Sequence, residues 1–198
     1  ISRAQHDLAR ERIEAAGLGE RITLSLKDYR ELEGEFDKLV SIEMIEAVGH
    51  GFLDTYFAKC AALLKPSGMF LLQAITLRDQ LHEASLGRVD FIQKFIFPGS
   101  ALPSVTSIEQ SVTRSSDLKL YHMDDIGPHY ATTLRHWRER FFAKIDEVRA
   151  LGYPESFVRM WEFYLAYSEG GFAERQLGDV QMLFTKPDCR RAALAFRG

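Results

Sequence analysis

The sequence predicts an α/β fold in which a largely parallel sheet carries a long inserted segment before its last strand. Short apolar stretches of strand character alternate with amphipathic helical stretches, and their connections are short and rich in glycine, proline and polar residues. The chain has 198 residues, of which 46% are hydrophobic. Because this size supports one ordinary core, we predict a single domain over residues 1–198.

The first part of the chain supplies three elements of this pattern. A helix is predicted over residues 2–16, because Ser2 is a suitable N-cap, the segment is rich in Ala, Arg, Glu and Gln, and a glycine follows it. Apolar and polar residues alternate in ERITLSLKDY, residues 20–29, which predicts a strand. FDKLVSIEMI, residues 36–45, predicts a more buried strand that ends near residues 42–44.

The rest of the chain continues the alternation. Residues 52–64 place apolar side chains three and four positions apart, which predicts an amphipathic helix. MFLLQAIT, residues 69–76, and QMLFTKP, residues 181–187, predict two further strands. The segment between them, about 77–178, is predicted to be a mostly helical insertion that covers the substrate. Its strongest feature is a helix over residues 131–151 with an apolar stripe formed by Leu134, Trp137, Phe141, Ile145 and Val148.

Composition argues against several classes of protein. A formal net charge of −3 disfavours a general nucleic-acid binder. Cys60 and Cys189 lie in no CxxC or Cys/His spacing, so neither a zinc site nor a disulfide framework is indicated. No apolar run approaches the ~20 residues that span a bilayer, and we predict a cytoplasmic protein. The chain begins without Met or a signal-peptide pattern, so we expect further sequence upstream.

Polar residues follow three of the predicted strands: Lys27 to Tyr29, Glu43 to His50, and Gln73 to Thr76. Because the carboxyl ends of parallel strands share one edge of a sheet, we expect these groups to line one crevice. Each group considered alone is more simply interpreted as a loop of solvated polar residues than as part of a site. A glutamate in such a place can bind a ribose, act as a general acid or base, or cap a helix. His50 is interpreted as a turn or cap residue.

Longer motifs carry a resemblance to a known family, in the family's order over nearly the whole chain. They are ISRAQ, DYREL, FDKLVSIEMIEAVGH, LLKPSGMFLLQAIT, DFIQKFIFPGSALPS, IGPHYATTLRHWRERF and WEFYLAYSEGGFAERQLGDVQMLFTKP. The chain resembles the cyclopropane-fatty-acyl-phospholipid synthase family, which includes the mycolic acid cyclopropane synthases. This resemblance implies the class I S-adenosylmethionine (SAM) methyltransferase fold, with the family's glycine-rich cofactor loop and an active-site cysteine upstream of Ile1.

The resemblance implies SAM as the cofactor and an unsaturated phospholipid acyl chain as the substrate. The SAM methyl group would become a methylene bridge across the double bond and give a cyclopropane ring. Gln5 would lie near the ribose and methionine part of the cofactor, whereas Asp28 and Tyr29 would flank the adenine. The full set of implied cofactor-binding residues is Ile1, Ser2, Gln5, Lys27, Asp28, Tyr29 and Glu43.

A bicarbonate ion beside the reacting carbon is also implied, as the base that removes a proton before ring closure. Glu46, Tyr130 and the Ile75 backbone would hold this ion. Gln73 stands where the family has a histidine, and Ser168 stands where it has a cysteine often marked as active. Gln73 can form hydrogen bonds but cannot carry a proton. An alkene attacking a sulfonium methyl group needs no enzyme nucleophile, so we discount a nucleophilic role at position 168.

Two alternatives stay open at this point. One is a related SAM-dependent C- or N-methyltransferase that acts on another lipid or a small molecule. Another is a truncated, non-catalytic copy of such an enzyme. Peripheral contact at the inner membrane face is a further expectation, through the basic side chains of the long helix, Arg135, Arg138, Arg140 and Lys144. Neither nucleic acid nor a metal is expected as a partner, and a homodimer is left open.

Overall fold

The structure, a computed structural model, describes residues 2–190. Its four strands are β1 (Phe36–Ile42), β2 (Leu64–Leu77), β3 (Lys119–Asp125) and β4 (Leu177–Thr185). The α-helices of the described residues are α1 (Arg3–Ala15), α2 (Leu53–Ala62), α3 (Asp79–Ser85), α4 (Phe91–Phe95), α5 (Val105–Ser115), α6 (Gly127–Ala143), α7 (Ile145–Ala150) and α8 (Glu155–Ala173). The chain divides into two compact units, with the boundary between Glu35 and Phe36.

The first unit contains the predicted helix but not the predicted strand. The hydroxyl of Ser2 accepts a hydrogen bond from the Gln5 backbone N–H at 3.3 Å and caps α1. The alternating segment at residues 20–29 forms no strand, because it has no ladder partner among the described residues. Its side chains Ile22 and Leu24 are exposed. The strand predicted from the period-two alternation of this segment was therefore wrong.

The second unit is built on one mixed sheet with the strand order β1-β2-β4-β3. β1 and β2 are parallel, and β4 lies antiparallel between β2 and β3. The sheet predicted to be largely parallel is mixed instead: three of the four strands run in one direction, but two of the three hydrogen-bonded pairs are antiparallel. β3 was not predicted, and it shows that the insertion contributes an edge strand as well as helices.

One face of the sheet forms the main core. Along β2, Phe70, Leu72 and Ala74 are fully buried at alternate positions. Phe70 stacks on Phe184 of β4 with ring centroids 5.8 Å apart, and Phe57 of α2 meets Phe70 at 6.5 Å. Because side chains alternate across a strand, the intervening residues of β2, including Gln73 and Ile75, face the opposite side.

The helices α6 and α8 cover that opposite side. Their buried residues form a cluster against which Ile75 and Tyr130 pack: Ala131, Leu134, Leu165 and Phe172. The helix predicted over residues 131–151 is interrupted at Lys144, where the backbone leaves helical values at φ −113° and ψ 18°. Within residues 2–190, no helix combines the length and the apolar character needed to cross a membrane.

Candidate active site

The candidate site lies where β1 ends and β2 continues. Ile42, the last residue of β1, pairs with Gln73, and beyond this point β2 pairs only with β4. In that extension Gln73 lies opposite Gln181, and Ile75 lies opposite Asp179. Since residues directly opposite each other in an antiparallel pair share a face, the side chains of these four residues meet on the side covered by α6 and α8.

Gln73 is the centre of the hydrogen-bond network. Its Nε2 donates to Oε1 of Glu43 at 2.9 Å and to Oδ2 of Asp179 at 3.1 Å. Its Oε1 accepts from Nε2 of Gln181 at 2.9 Å. A carboxylate accepts hydrogen bonds and does not donate them, so the amide nitrogen of Gln73 must face the two acids. The orientation of this amide is therefore fixed.

Glu43 reaches Gln73 through an uncommon backbone conformation. It follows β1 directly, with φ +48°, and its backbone N–H donates to the carbonyl of Gln73 at 2.9 Å. Its second oxygen, Oε2, accepts from the Tyr130 hydroxyl at 3.1 Å. Burial, and then the charge of Glu43, raise the pKa of Tyr130 well above its usual range, so the phenol stays neutral and donates.

Glu46 occupies a short 3-10 turn, Ile45–Ala47, just after Glu43. Its Oε1 accepts from the Ile75 backbone N–H at 2.7 Å, whereas its Oε2 is buried without a partner. Burial raises the pKa of Glu46, and the charge of Glu43 adds to the effect. Glu46 and the Ile75 backbone, both expected to hold a bicarbonate ion, are thus in direct contact with each other.

Asp179 was not singled out from the sequence, although it is fully buried. Its Oδ1 has no hydrogen-bond partner. Burial raises its pKa to about 7, with further contributions from the charges of Glu43, Glu46 and Asp125. These four residues, Glu43, Glu46, Asp125 and Asp179, are called the acid cluster below. None of the ion pairs found in residues 2–190 includes a member of it.

An apolar cavity of about 410 Å³ lies between α6, α8 and the segment after α4. Its lining is aromatic and aliphatic, with one charged residue: Phe97, Trp137, Arg140, Phe141, Trp161, Tyr164 and Leu165. One lining residue, Trp137, contacts Tyr130, which donates to Glu43 of the acid cluster. Tyr130 meets Trp137 edge-on with centroids 6.2 Å apart. Burial, and then the charge of Glu43, raise the pKa of Tyr164.

The other predicted cofactor-binding residues belong to the first unit, and Ile1 lies outside the described residues. Gln5 is exposed on the first turn of α1, and Lys27 is exposed as well. Asp28 caps the 3-10 turn that begins at Tyr29, and its carboxylate is held by Arg30 at 2.8 and 2.9 Å. This pairing lowers the pKa of Asp28 to about 2. Asp28 is therefore ionised and positioned.

The sequence-predicted residues divide into two groups. The structure brings together Glu43, Glu46, Gln73, Ile75 and Tyr130. Ser168 lies on α8, partly exposed, and none of the described side-chain hydrogen bonds joins it to that group. His50 begins a 3-10 turn, as its interpretation as a turn residue requires, with its ring 5.1 Å from that of His82. The sequence signal that could have identified Asp179 is an acidic residue two positions before Gln181, within what proves to be a buried part of β4.

Comparison with known proteins agrees with this architecture. The sequence profile of the mycolic acid cyclopropane synthetase family matches residues 1–182. The chain is 45% identical over 181 residues to the tuberculostearic acid methyltransferase UfaA1 of Mycobacterium tuberculosis, covering 91% of the chain and 42% of that protein. It is 39% identical over 186 residues to the cyclopropane-fatty-acyl-phospholipid synthase of Escherichia coli K12, covering 94% of the chain and 46% of that protein. The chain therefore spans less than half the length of either relative.

A solved structure shows the same fold. The mycolic acid cyclopropane synthase CmaA1, complexed with SAH and CTAB, superposes with a TM-score of 0.80 at 24% identity, covering 93% of this chain and 67% of that one. The predicted fold class, a Rossmann-like SAM methyltransferase sheet, is confirmed by this likeness. Since the family profile matches far more than half of the residues, the chain belongs to the mycolic acid cyclopropane synthetase family.

Proposed function

We propose that this protein transfers the methyl carbon of SAM to the double bond of an unsaturated phospholipid acyl chain and closes a cyclopropane ring. One observation carries the proposal: a partly buried acid cluster lies near an apolar, aromatic cavity, with Tyr130 between the Glu43 carboxylate and the lining residue Trp137. An acidic site beside an apolar one suits a reaction in which a cation forms on a hydrocarbon substrate.

The charge of the site suits this chemistry. When bound, SAM supplies an electrophilic methyl group on a cationic sulfur. Attack by the double bond leaves positive charge on the acyl chain, and negative charge fixed in a water-poor site stabilises such charge more than it would in water. Glu43 is held by two donors from different elements, Gln73 of β2 and Tyr130 of α6. These contacts position the carboxylate before the substrate arrives.

The cavity suits an acyl chain. Its volume of about 410 Å³ is typical of small-molecule sites, and Arg140 is its only charged lining residue. The faces of Trp137 and Tyr164 can stabilise a nearby cation by roughly 0.5–2 kcal/mol each where water is excluded. Arg135 and Arg138, in contrast, pair with Glu169 of α8 at 3.4 and 3.0 Å, so they join the two helices.

The first unit offers residues that fit the adenine end of SAM. Asp28 is ionised, and a carboxylate has about four acceptor positions. Arg30 uses three of them, through its backbone N–H, Nε and Nη2. One position on Asp28 is left for an amino group of a ligand. Ser2 fits less well, because its hydroxyl is engaged as the cap of α1.

The names of the relatives support SAM and a lipid substrate. One is a cyclopropane-fatty-acyl-phospholipid synthase, and the CmaA1 structure contains SAH. A second candidate function is transfer of the methyl group without ring closure, in which the cation loses a proton to give a branched chain that keeps a double bond. It is favoured by the 45% identity to a protein named a tuberculostearic acid methyltransferase. Both functions require the same first carbon–carbon bond.

The test is transfer of radiolabel from methyl-labelled SAM to phospholipid vesicles by the complete protein. Vesicles with one double bond in each acyl chain are compared with vesicles whose chains are saturated and otherwise identical. We expect label only in the unsaturated lipid, and equal labelling of both would contradict an attack by the double bond. Calorimetry with SAM tests the non-catalytic alternative, since a non-catalytic copy that has lost its cofactor site would give no binding heat.

A further inference from the structure

The donors that the family resemblance assigns to a bicarbonate ion are already used by carboxylates of the chain itself. Gln73 Nε2 and the Tyr130 hydroxyl donate to the two oxygens of Glu43, at 2.9 and 3.1 Å. The Ile75 backbone N–H donates to Glu46 at 2.7 Å. A free anion would have to displace these contacts before it could bind.

Charge opposes a free anion at the same place. The groups near Glu43 and Gln73 on the neighbouring elements are the acids Glu46 and Asp179 and the neutral phenols Tyr130 and Tyr164, and Asp125 lies near Asp179. Two like charges 4 Å apart repel by about 1 kcal/mol in water and by about 4 kcal/mol in a partly buried setting. Bicarbonate therefore does not fit this arrangement, and no step of the reaction is assigned to it.

The backbone of Glu43 indicates that its position is specified. For a residue with a Cβ atom, the left-handed backbone conformation is roughly 1–2 kcal/mol less favourable than the right-handed one. Glu43 adopts φ +48° directly after β1, and this turn directs its carboxylate to Gln73 and Tyr130. The Gln73 amide cannot rotate away, because Asp179 and Gln181 hold its other positions. The strain and the fixed partners together place one carboxylate where the family resemblance places an anion.

We propose that Glu43 accepts the proton released during the reaction, in place of a bound bicarbonate ion. This inference rests on the proposed function. After the first carbon–carbon bond has formed and the sulfur–methyl bond has broken, a C–H bond of the transferred carbon breaks. Its electron pair forms the second carbon–carbon bond of the ring, and its proton passes to the Glu43 carboxylate. The step needs no oxidant or reductant.

The experiment measures lipid labelling by the complete protein in buffer depleted of carbon dioxide and again with added bicarbonate. We expect the wild-type rate to be the same in both buffers. Glu43→Gln keeps the size of the side chain but removes the base, so its rate should fall by about 100-fold or more and should not recover. Glu43→Gly relieves the backbone strain and opens space for an anion. Its rate should fall similarly and recover at least about ten-fold with bicarbonate.

A matched control and a binding measurement complete the test. Glu139→Gln, the same change at an exposed position of α6, should leave the rate unchanged. The line width of ¹³C-bicarbonate should be unaffected by wild-type protein and broadened by Glu43→Gly. A wild-type rate that requires bicarbonate, broadening by wild-type protein, or near-normal activity of Glu43→Gln would overturn the inference while leaving the proposed function standing. Absence of labelling in both buffers would instead contradict the proposed function, and this inference with it.

Discussion

The hydroxyl of Tyr130 donates a hydrogen bond of 3.1 Å to Oε2 of Glu43, although the two residues lie 87 positions apart in the chain. This contact connects the first turn of α6 to the end of β1, and so joins the inserted segment to the sheet. The same tyrosine stacks on Phe172 of α8 with ring centroids 4.7 Å apart. The position of the site's carboxylate therefore depends on how the inserted helices pack.

Tyr130→Phe should weaken activity without unfolding the protein. The ring stack on Phe172 is kept, but Glu43 loses one of its two donors, at a cost of about 1–3 kcal/mol. We expect the labelling rate to fall by roughly 10- to 100-fold, while the melting temperature falls by no more than about 10 °C and the fold is kept. Tyr153→Phe, which also keeps a ring stack, is the control and should behave as wild type. Equal rates for the two variants would contradict a role for the Tyr130 hydroxyl.

Glu46→Gln should strongly reduce ring formation while the fold persists. The amide oxygen of glutamine can still accept from the Ile75 backbone, so the turn after β1 is kept. The acid cluster loses one carboxylate, and for the proposed reaction we expect a rate loss of about 100-fold. The measurement is the initial rate of lipid labelling, together with circular dichroism of both proteins. Near-normal activity would remove Glu46 from the mechanism.

Asp179 should make the protein less stable as pH rises. Its pKa is about 7 in the folded state against 3.8 ordinarily, so the folded protein binds the proton more tightly than the unfolded chain does. The stabilisation that the Asp179 proton provides is fully present below about pH 4 and is lost as pH rises through 7. It amounts to a few kcal/mol at most. Asp179→Asn should flatten the decline in melting temperature between pH 5 and pH 8. The control Asp188→Asn, at an exposed position, should leave this decline unchanged. If the melting temperature of Asp179→Asn declined with pH as steeply as that of the wild type, the prediction would be contradicted.

Gly127→Ala should destabilise the junction between β3 and α6. An added Cβ would lie 2.9 Å from Oδ1 of Asp125 and 3.0 Å from the backbone nitrogen of Asp179. The cost should be about 1–3 kcal/mol, seen as a lower melting temperature. Gly170→Ala is the control, because a Cβ there meets no atom within 4 Å and alanine favours a helix interior by up to ~1 kcal/mol. A melting temperature for Gly127→Ala as high as that of Gly170→Ala would show that the junction adapts.

Arg140→Glu should weaken binding to anionic vesicles if this face meets the membrane. Arg140 lines the cavity, and none of the ion pairs described in residues 2–190 includes it. A basic residue near an anionic surface contributes about 1 kcal/mol, which corresponds to a roughly five-fold change in partitioning. Vesicle sedimentation measures it, with Arg159→Glu of α8 as the charge-matched control. Equal effects of the two substitutions would contradict a specific membrane face.

The helices α1 and α2 and the strands β1, β2 and β4 were predictable because their apolar periods depend on local sequence. β3 was not predictable from its polar residues, because they form an edge strand only through pairing with β4. The strand predicted at residues 20–29 had the right period, but a strand also needs a partner, which the period does not show. Local pattern thus predicted the elements but not their pairing.

The site was predictable in part for a related reason. Family resemblance identified Glu46, Gln73 and Tyr130; in the structure Gln73 and Tyr130 both donate to Glu43, and Glu46 accepts from the Ile75 backbone. Asp179 could not be identified in this way, because its contact with Gln73 spans 106 positions and depends on the register of β4. The contacts of Glu43 were also missed. They depend on a left-handed backbone conformation at Glu43, which glutamate rarely adopts and which the sequence does not predict.

The most direct test of the central claim uses SAM whose methyl group carries three deuterium atoms. The complete protein is incubated with vesicles of unsaturated phospholipid, and the acyl chains are analysed by mass spectrometry. Ring closure removes one of these atoms, so the account predicts a gain of one carbon that carries two deuterium atoms, in an acyl chain that no longer contains a double bond. An acyl chain that gains a carbon with all three would contradict ring closure, and one that gains no labelled carbon would contradict methyl transfer to the lipid altogether.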